Sequence, residues 1–359
     1  MAVIQGADAP QEQTIKLEPE LRGIAEQALA ALELASQKAL AHEASPKQYP
    51  MPKGSGHLEQ LMHARLRQRP AATRRAAVAQ ILPRLQSGGS NFAPSLTPGL
   101  GPAAGVDLRS TTPVADQLER KVPVASFKPQ DDTAVAASKA ALFTALELRL
   151  TKVVCVDETN ELGSDEIDLA GVSIDATGDP RKLPRFTVHS DMDSGDKVIY
   201  NPPRVFARFP FAADTQIRID GKIKPVGWPR SHQVTFLLCE VDNGGFPDFV
   251  TAVYEKLRTL VAAWVAKAVG AWIGGPIGAA VGAAIGKIAG WVMDKGFAYL
   301  VRIWEDDAFT PVTSTIELDG PDRELNGKRG GTVVTSARRW TWKQHGGHYQ
   351  LYLDWHLTK

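Results

Sequence analysis

The spacing of apolar residues changes character several times along the chain. Between residues 12 and 45 it is helical, with Leu21, Ile24, Ala25, Ala28, Leu29, Leu32 and Leu34 predicting a long helix with an apolar stripe. Pro46, Pro50 and Pro52 interrupt it, and a second helical region follows over 57–86, bent near Pro70. From Ser87 to about Pro129 glycine, proline, serine and threonine predominate and no period survives. An extended arm or linker is expected there. Residues 131–146 carry the pattern of one more short helix.

From Leu148 the dominant period becomes two. Strands are expected to begin at Leu148, Leu150, Val153 and Val154 and again at Ile167, Leu169 and Val172. Further strands are expected over 197–200, 204–209, 215–219, 233–241, 301–304, 312–318, 331–342 and 348–357. The carboxyl end carries the clearest signal. Tyr349, Leu351, Leu353, Trp355 and Leu357 alternate with Gln350, Tyr352, Asp354 and His356, as a half-buried strand requires. Gly346 and Gly347 turn this strand back on the one before it.

One segment breaks the strand pattern. Gly270, Gly274, Gly278, Gly282, Gly286 and Gly290 recur every fourth residue, and 19 residues without a formal charge separate Lys267 from Lys287. A four-residue step advances 400° around a helix, so the glycines drift about 40° per step and cannot form one straight stripe. A break at Gly274-Gly275-Pro276 resolves this and predicts a helical hairpin over 247–300. Gly278, Gly282, Gly286 and Gly290 then form the small face of its second helix. Trp264, Trp272 and Trp291, with Lys267, are the flanking candidates for a membrane or helix-packing role. The expected fold class is α+β: a helical arm over 1–86, a linker over 87–130, and an antiparallel β-sandwich over 131–359 carrying the hairpin.

The stretch VCVDETNELGSDEIDLAG places an acidic loop between two apolar strands, and VRIWEDDAFTP supplies a second acidic loop. The strand–loop–strand with Gly163-Ser164-Asp165 resembles the first calcium-binding loop of C2 domains. This resemblance implies a C2-like sandwich over roughly 147–359, with calcium-assisted lipid or protein binding. The chain departs from the family's pattern at Thr159, Glu166 and Thr313, where acids or proline would be expected. Independently of family, Asp157, Glu158, Glu161, Asp165, Asp242, Glu305, Asp306 and Asp307 are candidate oxygen ligands for calcium if their loops converge.

With 41 basic and 40 acidic residues, the chain has no global attraction for nucleic acid, which is not expected as a partner. Arginines at 65, 67, 69, 74 and 75 make only a local positive surface, without interleaved aromatics. Cys155 and Cys239 have neither the number nor the spacing of a disulfide scaffold or zinc knuckle. The start lacks the pattern of a cleavable signal, so the expectation is either a cytoplasmic protein or one that leaves the cell by a leaderless route and associates with membranes conditionally. The functional expectation is a non-enzymatic, membrane-active toxin or effector that inserts its glycine-rich hairpin into a lipid bilayer or a homo-oligomer. Two alternatives accompany it: a soluble interaction protein whose hairpin is buried, with amino-terminal helices docking a larger assembly, and a calcium-dependent lipid-binding protein.

Overall fold

A computed structural model describes residues 17–87, 91–124, 143–159, 165–211, 216–219, 222–225, 230–240, 246–269, 277–304, 309–318, 320, 325, 333–335 and 337–359. The class is α+β with antiparallel sheets.

Helix α1 (Pro19–Ala44) opens the described chain, with Pro19 in its first turn, where the missing N–H is no loss. The expected break at Pro70 separates α2 (Leu58–Gln68) from α3 (Ala71–Ser87). The expected linker is folded in its described part. It forms a two-residue ladder between β1 (Asn91–Phe92) and β2 (Val106–Asp107), then α4 (Val114–Lys121). Phe92, Val106, Leu108, Val114 and Leu118 lie in the same core as α1.

Eight long strands make two four-stranded antiparallel sheets. The first has the order β10 (Val312–Leu318), β9 (Arg230–Glu240), β4 (Asp165–Ile174), β5 (Pro180–Met192). The second has the order β11 (Arg338–Gln344), β12 (Gly347–Thr358), β3 (Ala145–Asp157), β6 (Lys197–Pro210). A small hairpin, β7 (Gln216–Ile219) and β8 (Lys222–Pro225), forms a separate two-stranded sheet. The expected strand at 301–304 is instead the end of a helix, α6 (Ile277–Trp304), because the helical apolar spacing of that segment continues through Leu300. The strand expected over 331–342 is shifted to 338–344, preceded by a single bridge from Val334 to His356. The period-two reading did not find β5: Pro180 and Pro184 interrupt its sequence, and proline is tolerated there because β5 is an edge strand. Of the helix expected over 131–146, residues 131–142 lie outside the described residues and β3 begins at Ala145.

The inner faces of the two sheets share one core. Leu148, Leu150, Leu351, Leu353 and Trp355 from the second sheet meet Ile167, Leu169, Phe236 and Leu238 from the first. The first sheet is buried on its other side too. Ala170, Val172, Ile174 and Leu237 belong to a second core together with the helices. This explains why β4 is buried almost throughout instead of alternating. Gly171 fits there because a Cβ would stand 2.6 Å from the Thr235 carbonyl and 3.2 Å from the Phe206 ring.

Helix α5 (Phe246–Val269) and α6 follow β9 in sequence and pack on each other, on α1, and on the first sheet. Helix α1 contacts α2, α3, α4, α5 and α6, and every residue from Gln27 to Ala41 is buried. The stripe of leucines predicts one buried face, but Glu33 and Lys38 are also fully enclosed. The 91–124 segment supplies their partners. Glu33 accepts hydrogen bonds from the backbone N–H of Ser95 at 2.8 Å and of Leu96 at 2.8 Å, and from the Ser95 hydroxyl. Lys38 donates to the carbonyls of Leu108 and, at 2.6 Å, Ser110. On α2, buried Glu59 accepts from the Val114 N–H at 2.6 Å, capping α4.

Burial lowers the pKa of Lys38 to about 8, against the pull of Glu59 and Asp107 toward the charged form. Between pH 8 and the ordinary 10.5 of lysine the unfolded chain therefore binds the proton that the folded protein has released. Stability from this group rises with pH through that window and is constant below it. In paired urea titrations at pH 7.5 and 10, the native protein should gain up to roughly 3 kcal/mol relative to Lys38→Met. An identical difference at both values would show that Lys38 does not titrate there.

Candidate functional site

Three regions hold the residues singled out by chemistry: the loop end of the sandwich, the α5–α6 pair, and the outer face of the second sheet.

At the loop end, β3 finishes at Asp157 and β4 begins at Asp165. The Asp193–Asp196 turn lies beside them, its Ser194 hydroxyl accepting from the Glu158 N–H at 3.0 Å. Phe309 and Thr310 close another side. The Phe309 ring stands edge-on to His345 and Tyr349, and the Thr310 carbonyl accepts from the Trp342 indole at 2.9 Å. Asp157 is exposed and Glu158 half-buried, whereas Asp165 is enclosed.

The Asp165 carboxylate is engaged by the protein itself. It accepts from the Thr159 N–H at 2.8 Å, the Thr159 hydroxyl at 2.7 Å and the Tyr349 hydroxyl. Thr159, which stands where the C2 pattern has an acid, here closes the loop onto Asp165. Burial, followed by the bond to Asp165, pushes the Tyr349 phenol well above its ordinary range, so the hydroxyl stays a donor. Burial also raises the neighbouring Cys155 thiol to about 11, which leaves it unreactive. Cys155 and Cys239 are both buried, and neither is in a disulfide. Glu161, Asp242, Glu305, Asp306 and Asp307 lie outside the described residues. Among the described residues, no group of three or more His, Cys, Asp or Glu is placed to hold a metal ion.

The α5–α6 pair faces inward. Trp264 is buried, and Val253, Leu257, Val261, Ile285, Ile288 and Val292 are in the helical core, with Trp291 half-buried against it. Two small positions of the four-residue series on α6, Gly286 and Gly290, are approached by the protein's own atoms. A Cβ on Gly286 would stand 3.4 Å from the Gly178 Cα in the β4–β5 turn, where Gly178 has φ +74°. On Gly290 it would fall inside the Gln233 amide. Gly296, outside the four-residue series, receives Leu32 of α1, whose methyl would lie 2.5 Å from an added Cβ. Gly282 is buried and Gly278 lies in the first turn of α6, while Trp272 and Gly274 are outside the described residues. The flanking lysines are held by ion pairs: Lys267 to Glu119, and Lys287 to Glu18 at 3.2 Å and Glu317 at 3.6 Å. No helix among the described residues is long and apolar enough to cross a membrane.

The arginine-rich arm is also partly neutralised. Arg67, Arg74 and His63 converge on Glu43, and Arg65 is buried with its guanidinium 6.0 Å from the Phe249 ring centre.

Among the described residues, the outer face of the second sheet is left open. On β12 burial alternates residue by residue, directing His348, Gln350, Tyr352, Asp354 and His356 outward. Pairing across the strands places Arg339, Tyr352, Lys152 and Ile199 in one outward row. Asp354, Arg149 and Val205 form the next, and His356, Glu147 and Arg208 the one after. Ile199 is 63% exposed and Val205 46% exposed, two of four large apolar side chains exposed among the described residues. Sequence periodicity identifies this face on β12, but its neighbours on β3 and β6 depend on bulges that no local pattern reveals.

Comparison with known protein families, curated proteins and solved structures finds no match to the chain.

Two stability measurements follow from these geometries. Gly286→Ala, with its new methyl in ordinary contact, should be neutral or stabilise by up to about 1 kcal/mol, whereas Gly286→Leu should push α6 off the turn and cost about 1–3 kcal/mol. Asp165→Asn turns an amide N–H toward donors and should cost about 1–3 kcal/mol in urea unfolding. Adding Tyr349→Phe to it should cost less than Tyr349→Phe alone, a coupling that independent sites would not show.

Proposed function

We propose that the chain is a non-enzymatic interaction protein: a C2-like β-sandwich in which the α5–α6 insertion and the amino-terminal helices form one permanent wall. The opposite, open sheet face is its binding surface. The C2-like reading rests on the acidic strand–loop–strand at β3 and β4 and on two four-stranded antiparallel sheets around a shared core.

The observation that carries the reading is the close approach of Gly178, Gln233 and Leu32 of the same chain to Gly286, Gly290 and Gly296 of α6. Small residues at this spacing permit close helix approach in a bilayer or in a folded core; here the approaching atoms are internal. Insertion into a bilayer would have to uncover α1 and the outer face of β4 and β9. The side chains of α5 and α6 would exchange one apolar environment for another, so the cost falls on what they leave behind: Leu29 and Leu32 of α1 and Val172, Ile174 and Leu237 of the sheet would meet water. At about 1.5–3 kcal/mol for each of these side chains, the total is more than about 7 kcal/mol. The surface ion pairs of Lys267 and Lys287 contribute at most about 1 kcal/mol each, so no single one acts as a latch.

Dye-loaded neutral and anionic liposomes, across pH and with or without calcium, should retain their dye. Amide exchange should be as slow in α5 and α6 as in α1, since all three share one core. Leakage accompanied by selective exposure of α5 and α6 would overturn the reading in favour of membrane insertion.

A further inference from the structure

The open face of the second sheet has a composition unlike the chain as a whole. Arg149, Lys152, Lys197, Arg208, Arg339 and Lys343 all fall in its outward rows. The acidic residues there are Glu147, Asp354 and, in the row of Lys343 and His348, the exposed Asp157, so six basic groups oppose three, on a chain whose total is 41 against 40. Glu147 is already spent: Arg149 bonds it at 2.7 Å and Arg208 lies at 3.5 Å. Asp354 is half-buried, and burial pushes its carboxyl above the ordinary range. The face therefore presents positive charge to an approaching partner.

Charge is combined with exposed aliphatic surface. Ile199 stands opposite Lys152, and Val205 opposite Arg149, so each apolar side chain on β6 adjoins a base on β3. Several of the bases lie along the sheet instead of projecting from it. Lys152 sits 4.0 Å from the Tyr352 ring centre, and Arg149 is held against Glu147. Groups in that posture serve a partner that comes into side-chain contact. The same posture leaves the one aromatic ring of the row covered by a cation, which removes it as a stacking platform for bases. Gln350, Thr341 and His356 add directional hydrogen-bonding groups around the bases. At the edge, Pro202 and Pro203 lack N–H groups in the middle of β6, which opposes addition of a further strand and directs a partner onto the face.

Resting on the interaction-protein reading, we infer that this face docks an acidic, amphipathic segment of a partner protein. Its carboxylates would pair with Lys152, Lys197 and Lys343, and its apolar side chains would cover Ile199 and Val205. Electrostatic complementarity would set the rate and selectivity of docking, and the aliphatic pair would supply the desolvated centre.

The test uses the full chain and a fluorescein-labelled amphipathic peptide of glutamate and leucine, with a lysine–leucine peptide as control, in anisotropy titrations. The glutamate peptide should bind, the lysine peptide should not, and affinity should fall with added salt. Lys197 and Lys343 are exposed, so the Lys197→Glu, Lys343→Glu double variant should keep the native circular dichroism and melting temperature while losing at least tenfold in affinity. Ile199→Ser should lose several-fold, and Lys53→Glu, on the helical side, should change nothing. Equal affinity for native protein and double variant would overturn the inference. So would binding to phosphatidylserine vesicles that needs Lys197 and Lys343 while the peptide fails to bind. Dye leakage from those vesicles would instead refute the interaction-protein reading, so the two failures are separable.

Discussion

The architecture depends on enclosing one helix completely. From Gln27 to Ala41, α1 exposes no face, which is tolerated only for a helix rich in alanine and leucine whose charged groups find partners. Glu33 and Lys38 are those groups, and both are met by backbone of the 91–112 segment. A buried carboxylate or ammonium without such partners would cost several kcal/mol. The polar residues of α1 therefore determine where the following segment must lie, and that segment in turn completes the helical core with Phe92, Val106 and Leu108.

The same enclosure accounts for the α5–α6 pair. Helix α6 receives Leu32 of α1 at Gly296 on one side and the β4–β5 turn and Gln233 at Gly286 and Gly290 on another. Each glycine in a helix costs about 1 kcal/mol relative to alanine. The cost is offset where the missing side chain lets two elements approach to contact distance. With the helices on one side and the second sheet on the other, β4 and β9 are buried on both faces. The fold is thus three layers, and among the described residues no helix layer covers the outer face of the second sheet.

That asymmetry shapes the functional reading. The loop end, where acidic residues cluster in sequence, contains a carboxylate already committed to Thr159 and Tyr349. The α5–α6 pair, whose sequence suggests a membrane, packs against α1 and the first sheet. The open sheet, by contrast, combines Ile199 and Val205 with bases in neighbouring rows. Its charge is invisible in a chain-wide balance because acidic residues elsewhere cancel it.

Local pattern determined a great deal. The period of two in 347–358 specified β12, helical spacing around Leu21–Leu34 specified α1, Pro70 marked the break between α2 and α3, and the drifting glycines required two helices instead of one. These features depend on residues close in sequence, and backbone geometry alone translates them into faces. Tertiary structure decided the rest. Whether Glu33 and Lys38 are exposed depends on donors and acceptors some sixty to seventy residues away. Whether Asp165 is free to bind a cation depends on Tyr349, which reaches it only after β12 has paired with β3. The role of the α6 glycines depends on what approaches them, and periodicity records only that something small is required. Apolar spacing specifies which side of an element is buried, but the identity of the burying partner is a property of the assembled fold.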